Sequence, residues 1–525
     1  MRIVDRPAVI ALGVTTLCLL SLTSPLTSPL HIDIYHSSGS VIGIYLAGIL
    51  NICALWLLLA GLFWLVRKPG RPRTIVWLGM ILFLPWIVMR NVAAVMVWPL
   101  SHPFSMTVLA FSTTAFIGCL AFWRPTFQPA FDRISGFAAT LLAFVAFSGA
   151  VVLIQLLWLT WQARSLNAAR PLHQQQVASI KPPPTPRIVW IVLDELSYQQ
   201  VYERRFPGLQ LPTFDQLASQ STVFTHVIPV GIRTEAVLPS LMTGIQADRI
   251  RSSSDGQLLI HDQATKAWQQ FNQHNTIFQD ALNNGYSTAI AGWYNPYCRI
   301  LPQVLDHCFW TVHTSEGAFR SQSFMASLLD PVRGLIQKVC AFILLKGDPP
   351  VDTALDNQFH IEDYHNLFKA ADSQLADRSV NFIFLHMPIP HPGGIYNRKT
   401  STFVTSQSSY IDNLALADRY LEHVYQVLQR QGTWDSSVVI VMGDHSWRTA
   451  LIWRDSPYWT MEDKIASKGG QFDDRPGYIV KMPYQQKAMQ INTPFAALRT
   501  RALLDAIINH KISSAGDLAV WVKQK

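Results

Sequence analysis

The first 161 residues hold five long apolar stretches, at about 7–27, 40–66, 74–98, 104–123 and 135–161. A soluble core cannot bury so much contiguous apolar chain. Each stretch is close to the roughly twenty residues that an α-helix needs to cross a hydrocarbon core. A transmembrane domain of five helices over 1–161 is therefore expected. No convincing small-residue cleavage site follows the first stretch, so it reads as a retained anchor. The chain as a whole is 49% hydrophobic and 14% charged. That skew comes from its first third, and the remainder has the composition of a globular domain.

The formal net charge is +8. Arg2, Arg6, Arg67, Lys68, Arg71, Arg73, Arg124 and Arg133 all precede or separate the apolar stretches, whereas the loops around 28–39 and 99–103 carry no Lys or Arg. The positive-inside rule then places the N-terminus inside and everything after 161 outside. The basic excess is topological, and no nucleic-acid partner is expected. Arg90-Asn91 interrupts the third stretch. It is either an arginine snorkelling to headgroups or a functional contact to a lipid phosphate. Of six cysteines, Cys18, Cys53 and Cys119 fall in apolar stretches. Cys298 and Cys308 either bridge, as an oxidising compartment would allow, leaving Cys340 over, or remain two unpaired thiols.

Residues 162–186 form a linker ending in the stiff run Lys181-Pro-Pro-Pro-Thr-Pro-Arg187, and a soluble domain is expected over 187–525. It opens on Ile188–Leu193, a continuous apolar run of strand length. Helix 276–284 precedes strand 287–292. A strand at 380–385, a helix at 410–431, a strand at 438–442, a strand at 478–481 and a helix at 493–509 follow. Strands alternating with helices argue for an α/β fold with a largely parallel central sheet, whose ligands gather at the carboxyl ends of strands. Asp194, His386 and Asp444 are each expected just past such an end. The apolar run 332–346 is too short to span a membrane, and would be either a buried core helix or a segment on the membrane surface.

The chemistry-bearing residues follow the same geography. Asp194-Glu195 ends the first strand and Gly443-Asp444-His445 ends a later one. Thr234 opens the run Thr234-Glu-Ala-Val-Leu-Pro-Ser-Leu-Met-Thr-Gly244. Carboxylate, hydroxyl and carboxylate-imidazole can converge on one divalent metal, which would make Thr234 a nucleophile. A helix start at Thr234 would also favour an anionic substrate. Asp194 is the preferred strand-end ligand, with Glu195 in reserve. Leu385-His386-Met-Pro-Ile-Pro-His391 follows another strand, and either histidine could protonate a leaving alkoxide or bind a second metal. Lys464 or Lys468 is either a site cation or a surface residue, and Asp418 is expected to be structural.

In this order and placement the chain, over about 187–510, resembles the alkaline phosphatase/sulfatase superfamily. Sulfatases carry Cys or Ser-x-Pro-Ser-Arg with Leu-Thr-Gly about ten positions on. Here Thr243-Gly244 supplies the anchor, Thr234 takes the nucleophile position, and Ala236 and Leu238 replace Pro and Arg. Threonine cannot become formylglycine, so ordinary sulfatase chemistry is not expected. The spacing Thr234 to Pro239 is similar to that of membrane phosphoethanolamine and phosphoglycerol transferases, which carry five N-terminal spans and an external α/β/α catalytic domain. That resemblance implies a phosphotransferase with metal ligands Asp194 or Glu195, Thr234, Asp444 and His445, binding zinc, or else manganese or calcium. It implies catalytic roles for Thr234, His391 and His386. It further implies a bacterial inner-membrane location, a periplasmic or extracellular catalytic domain, a membrane phospholipid donor, and an envelope glycan or glycolipid acceptor such as lipopolysaccharide. The alternative is a membrane-anchored phosphodiesterase or sulfatase-like hydrolase, and the non-enzymatic reading is a degenerate sensor or assembly domain. One departure is the missing histidine in Ser446–Trp459, where those transferases carry one.

Overall fold

The computed structural model describes residues 6–28, 35, 40–96, 102–163, 186–252, 257–312, 324–325, 327–329, 331–333 and 353–524. The chain divides into two compact units. The proposed linker falls almost wholly outside the described residues, as does most of 332–346.

Among the described residues of the N-terminal unit four helices are long and apolar enough to cross a membrane: Val41–Leu65, Arg71–Ala93 within the helix Arg71–Val95, Phe104–Ala121 within His102–Ala121, and Gln128–Gln162. The first expected span is broken into Pro7–Cys18 and Leu20–Thr27, bent by 74°. The protein is therefore membrane-anchored, with five spans if the bent pair counts as one. The bend frees backbone carbonyls that hydrocarbon cannot satisfy. The Asn91 side-chain amide donates to two of them, Leu17 O at 2.8 Å and Cys18 O at 3.0 Å. The polar interruption of the third stretch thus has a structural use at Asn91, one neither reading of Arg90 supplied. Phe324, Met325 and their described neighbours sort with this unit, where Asn51 Nδ2 donates to Leu328 O at 3.2 Å.

The second unit is built on an eight-stranded sheet. In chain order its strands are β1 (Ile188–Leu193), β2 (Thr222–Phe224), β3 (Thr288–Trp293), β4 (His307–Thr311), β5 (Phe382–Met387), β6 (Val438–Gly443), β7 (Tyr478–Lys481) and β8 (Met489–Ile491). Their spatial order is β8-β2-β7-β6-β1-β5-β3-β4. Strands β6-β1-β5-β3-β4 are all parallel, and β7 alone runs against both neighbours. Every residue of β1, β5 and β6 is buried, as continuous apolar runs require when helices cover both faces. Val189, Ile191 and Leu193 pack into one core with the helices Pro212–Gln220, Thr353–Ala376 and Tyr410–Arg430. On the other face Trp190 meets Phe384 edge-on at 4.6 Å, and Phe384 meets Phe278 of the helix Ile277–Asn283.

Two elements are shifted from expectation. Strand β5 starts and ends two residues later than expected, so His386 lies inside it rather than after it. The helix expected over 493–509 begins only at Thr500, after a short strand and a 3-10 turn. Asp418 is structural, as expected. Its carboxylate accepts Phe214 N at 2.8 Å and Thr213 N at 3.3 Å, satisfying donors at the start of Pro212–Gln220. Cys298 and Cys308 form a disulfide.

Candidate active site

Three adjacent strands end in register at one edge of the sheet. Leu193 stands beside Gly443 on one side and Met387 on the other, and Val192 stands beside His386. Asp194, Asp444 and His386 are thereby delivered to one spot. Gly443 makes the exit from β6 feasible: a Cβ there would lie 2.7 Å from Leu196 O and 2.9 Å from His445 O.

Thr234 is the first residue of the helix Thr234–Thr243, which ends at Gly244 in the left-handed conformation. Its Oγ1 lies 2.8 Å from Asp444 Oδ2, 3.2 Å from His445 Nε2 and 3.4 Å from Asp194 Oδ2. All four side chains are buried. The helix N-terminus adds a positive partial charge at the hydroxyl.

The surrounding hydrogen bonds orient these groups. Asp444 Oδ1 accepts two backbone N–H groups, Glu195 N at 3.1 Å and His445 N at 2.8 Å, which leaves Oδ2 turned to Thr234. His445 Nδ1 lies 3.2 Å from Ser446 O, and His386 Nδ1 lies 2.9 Å from Trp293 O and 2.9 Å from the Tyr297 hydroxyl. A carbonyl partner holds the proton on Nδ1, so Nε2 of each ring carries a lone pair toward the site. Gly292 admits the Tyr297 ring that reaches His386, since a Cβ there would meet that ring at 2.2 Å. Burial pushes His386 down to about 4 and His445 to about 3, so both rings are neutral near pH 7. Burial, reinforced by the Asp444 and Glu195 carboxylates, holds Asp194 well above the ordinary carboxylate range.

A buried polar atom with no partner is costly. Here Asp194 Oδ1 and His386 Nε2 are both buried without one. Ligand atoms of Asp194, His386 and Asp444 converge within 4.8 Å of one another, as do those of Asp194, Glu195 and His445. Orphaned lone pairs, buried carboxylates and neutral imidazoles are what a divalent cation completes, so the residues fit the metal that the fold implies.

The structure separates the two acids of the Asp194-Glu195 pair. Glu195 has φ +65°, in the left-handed region, which turns its side chain away from the strand direction. Its carboxylate accepts Arg448 Nε at 2.7 Å, Arg448 Nη2, Arg448 N at 3.1 Å and Trp453 Nε1 at 2.9 Å. It is thus the counter-ion of Arg448, although its position also brings it within the metal-ligand cluster. Arg448 is the site cation that sequence reasoning missed. Lys464 and Lys468 are both exposed.

His391 lies outside both ligand clusters. Its Nδ1 is 2.7 Å from Pro392 O, and its ring packs edge-on to Trp453 at 5.0 Å and Trp293 at 5.2 Å. Burial, with His360 and Arg448 nearby, holds it well below the ordinary imidazole range. His360, from the helix Thr353–Ala376, stacks on Trp293 with an interplanar angle of 9°. Nothing in its helical context marked it beforehand.

A family model described as Sulfatase matches residues 186–495. Among solved structures the chain is similar to Ps i-CgsB in complex with k-i-k-neocarrahexaose, at 15% identity and a TM-score of 0.41, covering 64% of this chain and 74% of that one. It is similar to a phosphonate monoester hydrolase of Agrobacterium radiobacter, at 14% identity and a TM-score of 0.39, covering 62% and 74%. It is also similar to human ectonucleotide pyrophosphatase/phosphodiesterase 5, at 10% identity and a TM-score of 0.37, covering 65% and 100%.

Proposed function

The chain belongs to the sulfatase family, and from that premise we propose that it transfers a phospholipid headgroup phosphate, of phosphoethanolamine or phosphoglycerol type, to an envelope glycan or glycolipid through a covalent Thr234 intermediate. The observation that carries this reading is the Thr234 hydroxyl at a helix start, 2.8 Å from Asp444 Oδ2 and 3.2 Å from His445 Nε2. A threonine there supports a phosphoryl nucleophile rather than formylglycine-dependent sulfate chemistry, and a chain carrying membrane-spanning helices is tethered to a bilayer, which favours a lipid donor.

Asp194, Asp444, His445 and His386 would hold the cation, with Thr234 beside it. When bound, such a cation lowers the pKa of an adjacent hydroxyl and offsets charge on a phosphate oxygen. Two imidazoles among the ligands suit zinc better than calcium. In the first half-reaction Thr234 Oγ1 forms a bond to phosphorus and the bond to the diacylglycerol oxygen breaks; the Thr234 proton passes in net to that oxygen, which leaves as the alcohol. In the second, an acceptor hydroxyl forms the new P–O bond and Thr234 Oγ1 leaves, regaining in net the proton that the acceptor gives up. Asp444 Oδ2 already accepts the Thr234 hydrogen bond and orients the attacking oxygen. Neutral His391 is available to take the acceptor proton, and Arg448, held by Glu195, supplies positive potential beside the transferred phosphate. The catalytic unit would work outside the cytoplasm, where the Cys298–Cys308 disulfide would persist.

The test is intact-protein mass spectrometry of detergent-purified protein incubated with a mixed bacterial phospholipid extract, beside Thr234→Ala. A mass increment on the wild type alone, equal to one headgroup phosphate, supports the proposal. Release of a free headgroup phosphate with no increment and no transfer product would favour the hydrolase. An equal increment on Thr234→Ala would remove Thr234 as the nucleophile.

A further inference from the structure

The two loops that carry the site leave apolar side chains on their outer side. Ile232, two residues before Thr234, is 43% exposed, and its carbonyl accepts Arg448 Nη1 at 3.1 Å. Arg448 in turn opens the short helical turn Thr449–Trp453, with Ile452 N donating to Arg448 O at 3.0 Å. The inner residue of that turn, Trp453, donates to Glu195. Its outer residues, Leu451 and Ile452, are 50% and 46% exposed. One five-residue turn therefore anchors the site on its inner side and shows two large aliphatic side chains to solvent on the other. The same segment continues into the capped helix Met461–Ala466. There Met461 and Ile465 stand four residues apart on one face, both exposed. Lys464 and Lys468 beside them are exposed. Arg233 and Arg454 are paired with Glu235 and Asp455.

Exposed aliphatic tips next to a polar reaction centre suit an amphiphilic substrate better than a fully water-soluble one, and grouped exposed apolar residues mark interaction surfaces. Aliphatic tips that would enter the acyl boundary, with exposed lysines that would meet the headgroups, are the composition of an interfacial membrane contact. We propose that the lip formed by Ile232, Leu451 and Ile452, extended by the segment 461–468, docks on a phospholipid bilayer and presents the lipid phosphate to Thr234. A bilayer is favoured over a protein partner because the chain carries its own membrane helices, which keep such a surface at high effective concentration. The inference rests on the lipid reading above for what is presented, but docking itself can be read without turnover.

The experiment uses the full chain in nanodiscs of phosphatidylethanolamine and phosphatidylglycerol. The photo-crosslinker p-benzoylphenylalanine replaces Leu451 or Ile452, or, as a control, the exposed Gln426. Lipid-mass adducts at 451 and 452 and none at 426 are expected. Crosslinks from 451 and 452 to protein alone, or lipid adducts no more frequent than at 426, would overturn the proposal. In parallel, Leu451→Gln/Ile452→Gln should raise KM for nanodisc lipid about tenfold or more, as loss of two buried aliphatic contacts implies. It should leave hydrolysis of soluble bis(p-nitrophenyl) phosphate unchanged. Equal loss on both substrates would overturn the docking role. Lipid adducts at 451 and 452, with no phosphodiester turned over by the wild type, would uphold docking and remove the proposed function instead.

Discussion

Replacing Glu195 by glutamine separates a counter-ion from a metal ligand. The carboxylate is fully buried and accepts from Arg448 Nε, Nη2 and N and from Trp453 Nε1. Arg448 is itself buried. Glutamine keeps the shape, removes the charge, and turns an N–H₂ toward donors on one side. Removing one partner of a buried pair leaves the other charge uncompensated, at a cost of about 3–5 kcal/mol. For a domain of this size that lowers the midpoint of thermal unfolding by roughly 6 °C. Replacing both residues, as Glu195→Gln/Arg448→Met, removes the stranded guanidinium and should recover half or more of the loss. Intrinsic-fluorescence melting of the detergent-purified protein, with metal stoichiometry measured on the same sample, reads both properties. The expected result for Glu195→Gln is a large drop in midpoint with the metal retained. A midpoint within about 1 °C of wild type, together with lost metal, would refute the assignment and return Glu195 to the ligand shell.

Asp194→Asn, Asp444→Asn and His445→Ala should each lower bound metal while Glu195→Gln does not; unchanged stoichiometry in all three removes the metal site. Thr234→Ser should retain measurable turnover where Thr234→Ala has none, with metal content equal in both. The Cys298–Cys308 bridge closes a loop with a sequence separation of 10. Chain entropy alone makes its removal cost about 3 kcal/mol, so reductant should lower the melting midpoint of the wild type and leave Cys298→Ala/Cys308→Ala unmoved. Burial raises Asp418 from 3.8 to about 6. Its folded-state pKa exceeds its unfolded one, so its contribution to stability is full below 3.8 and fades as pH rises through about 6. The melting difference between wild type and Asp418→Asn should shift against the wild type over that window by an amount equivalent to up to ~3 kcal/mol; a flat difference would contradict the burial argument.

Part of this site was legible because strand ends are. Apolar runs such as Ile188–Leu193 and Val438–Gly443 stop at the first residue that must face a ligand, so Asp194 and Asp444 stand out, and Thr234 is marked by its distance from Gly244. Glu195 was ambiguous because adjacency says nothing about direction. Its left-handed backbone and its pairing with a residue 253 positions away are tertiary facts. Arg448 was hidden for the same reason: a cation in a loop has no pattern until its partner is known. Lys464 and Lys468 attracted notice for charge alone and proved to be surface residues. The break in the first span falls inside one stretch that reads as a single span, although its second limb, Leu20–Thr27, carries Ser, Thr and Pro25. Only the amide of Asn91, 73 and 74 residues away, shows how the freed carbonyls are satisfied.

The in-register meeting of β1 with β5 and β6 also has a kinetic consequence. Asp194 leaves the ribosome long before Asp444, and the strand that carries Asp444 must slot in beside β1 after some 240 residues of intervening chain. Pairings of such separation are slow to form, because loop closure precedes any gain. A nascent chain therefore has no cluster with which to capture a cation, and the cation should add its binding energy only to the completed sheet. Metal uptake followed during refolding should then lag the formation of secondary structure and coincide with the closing of β6 against β1.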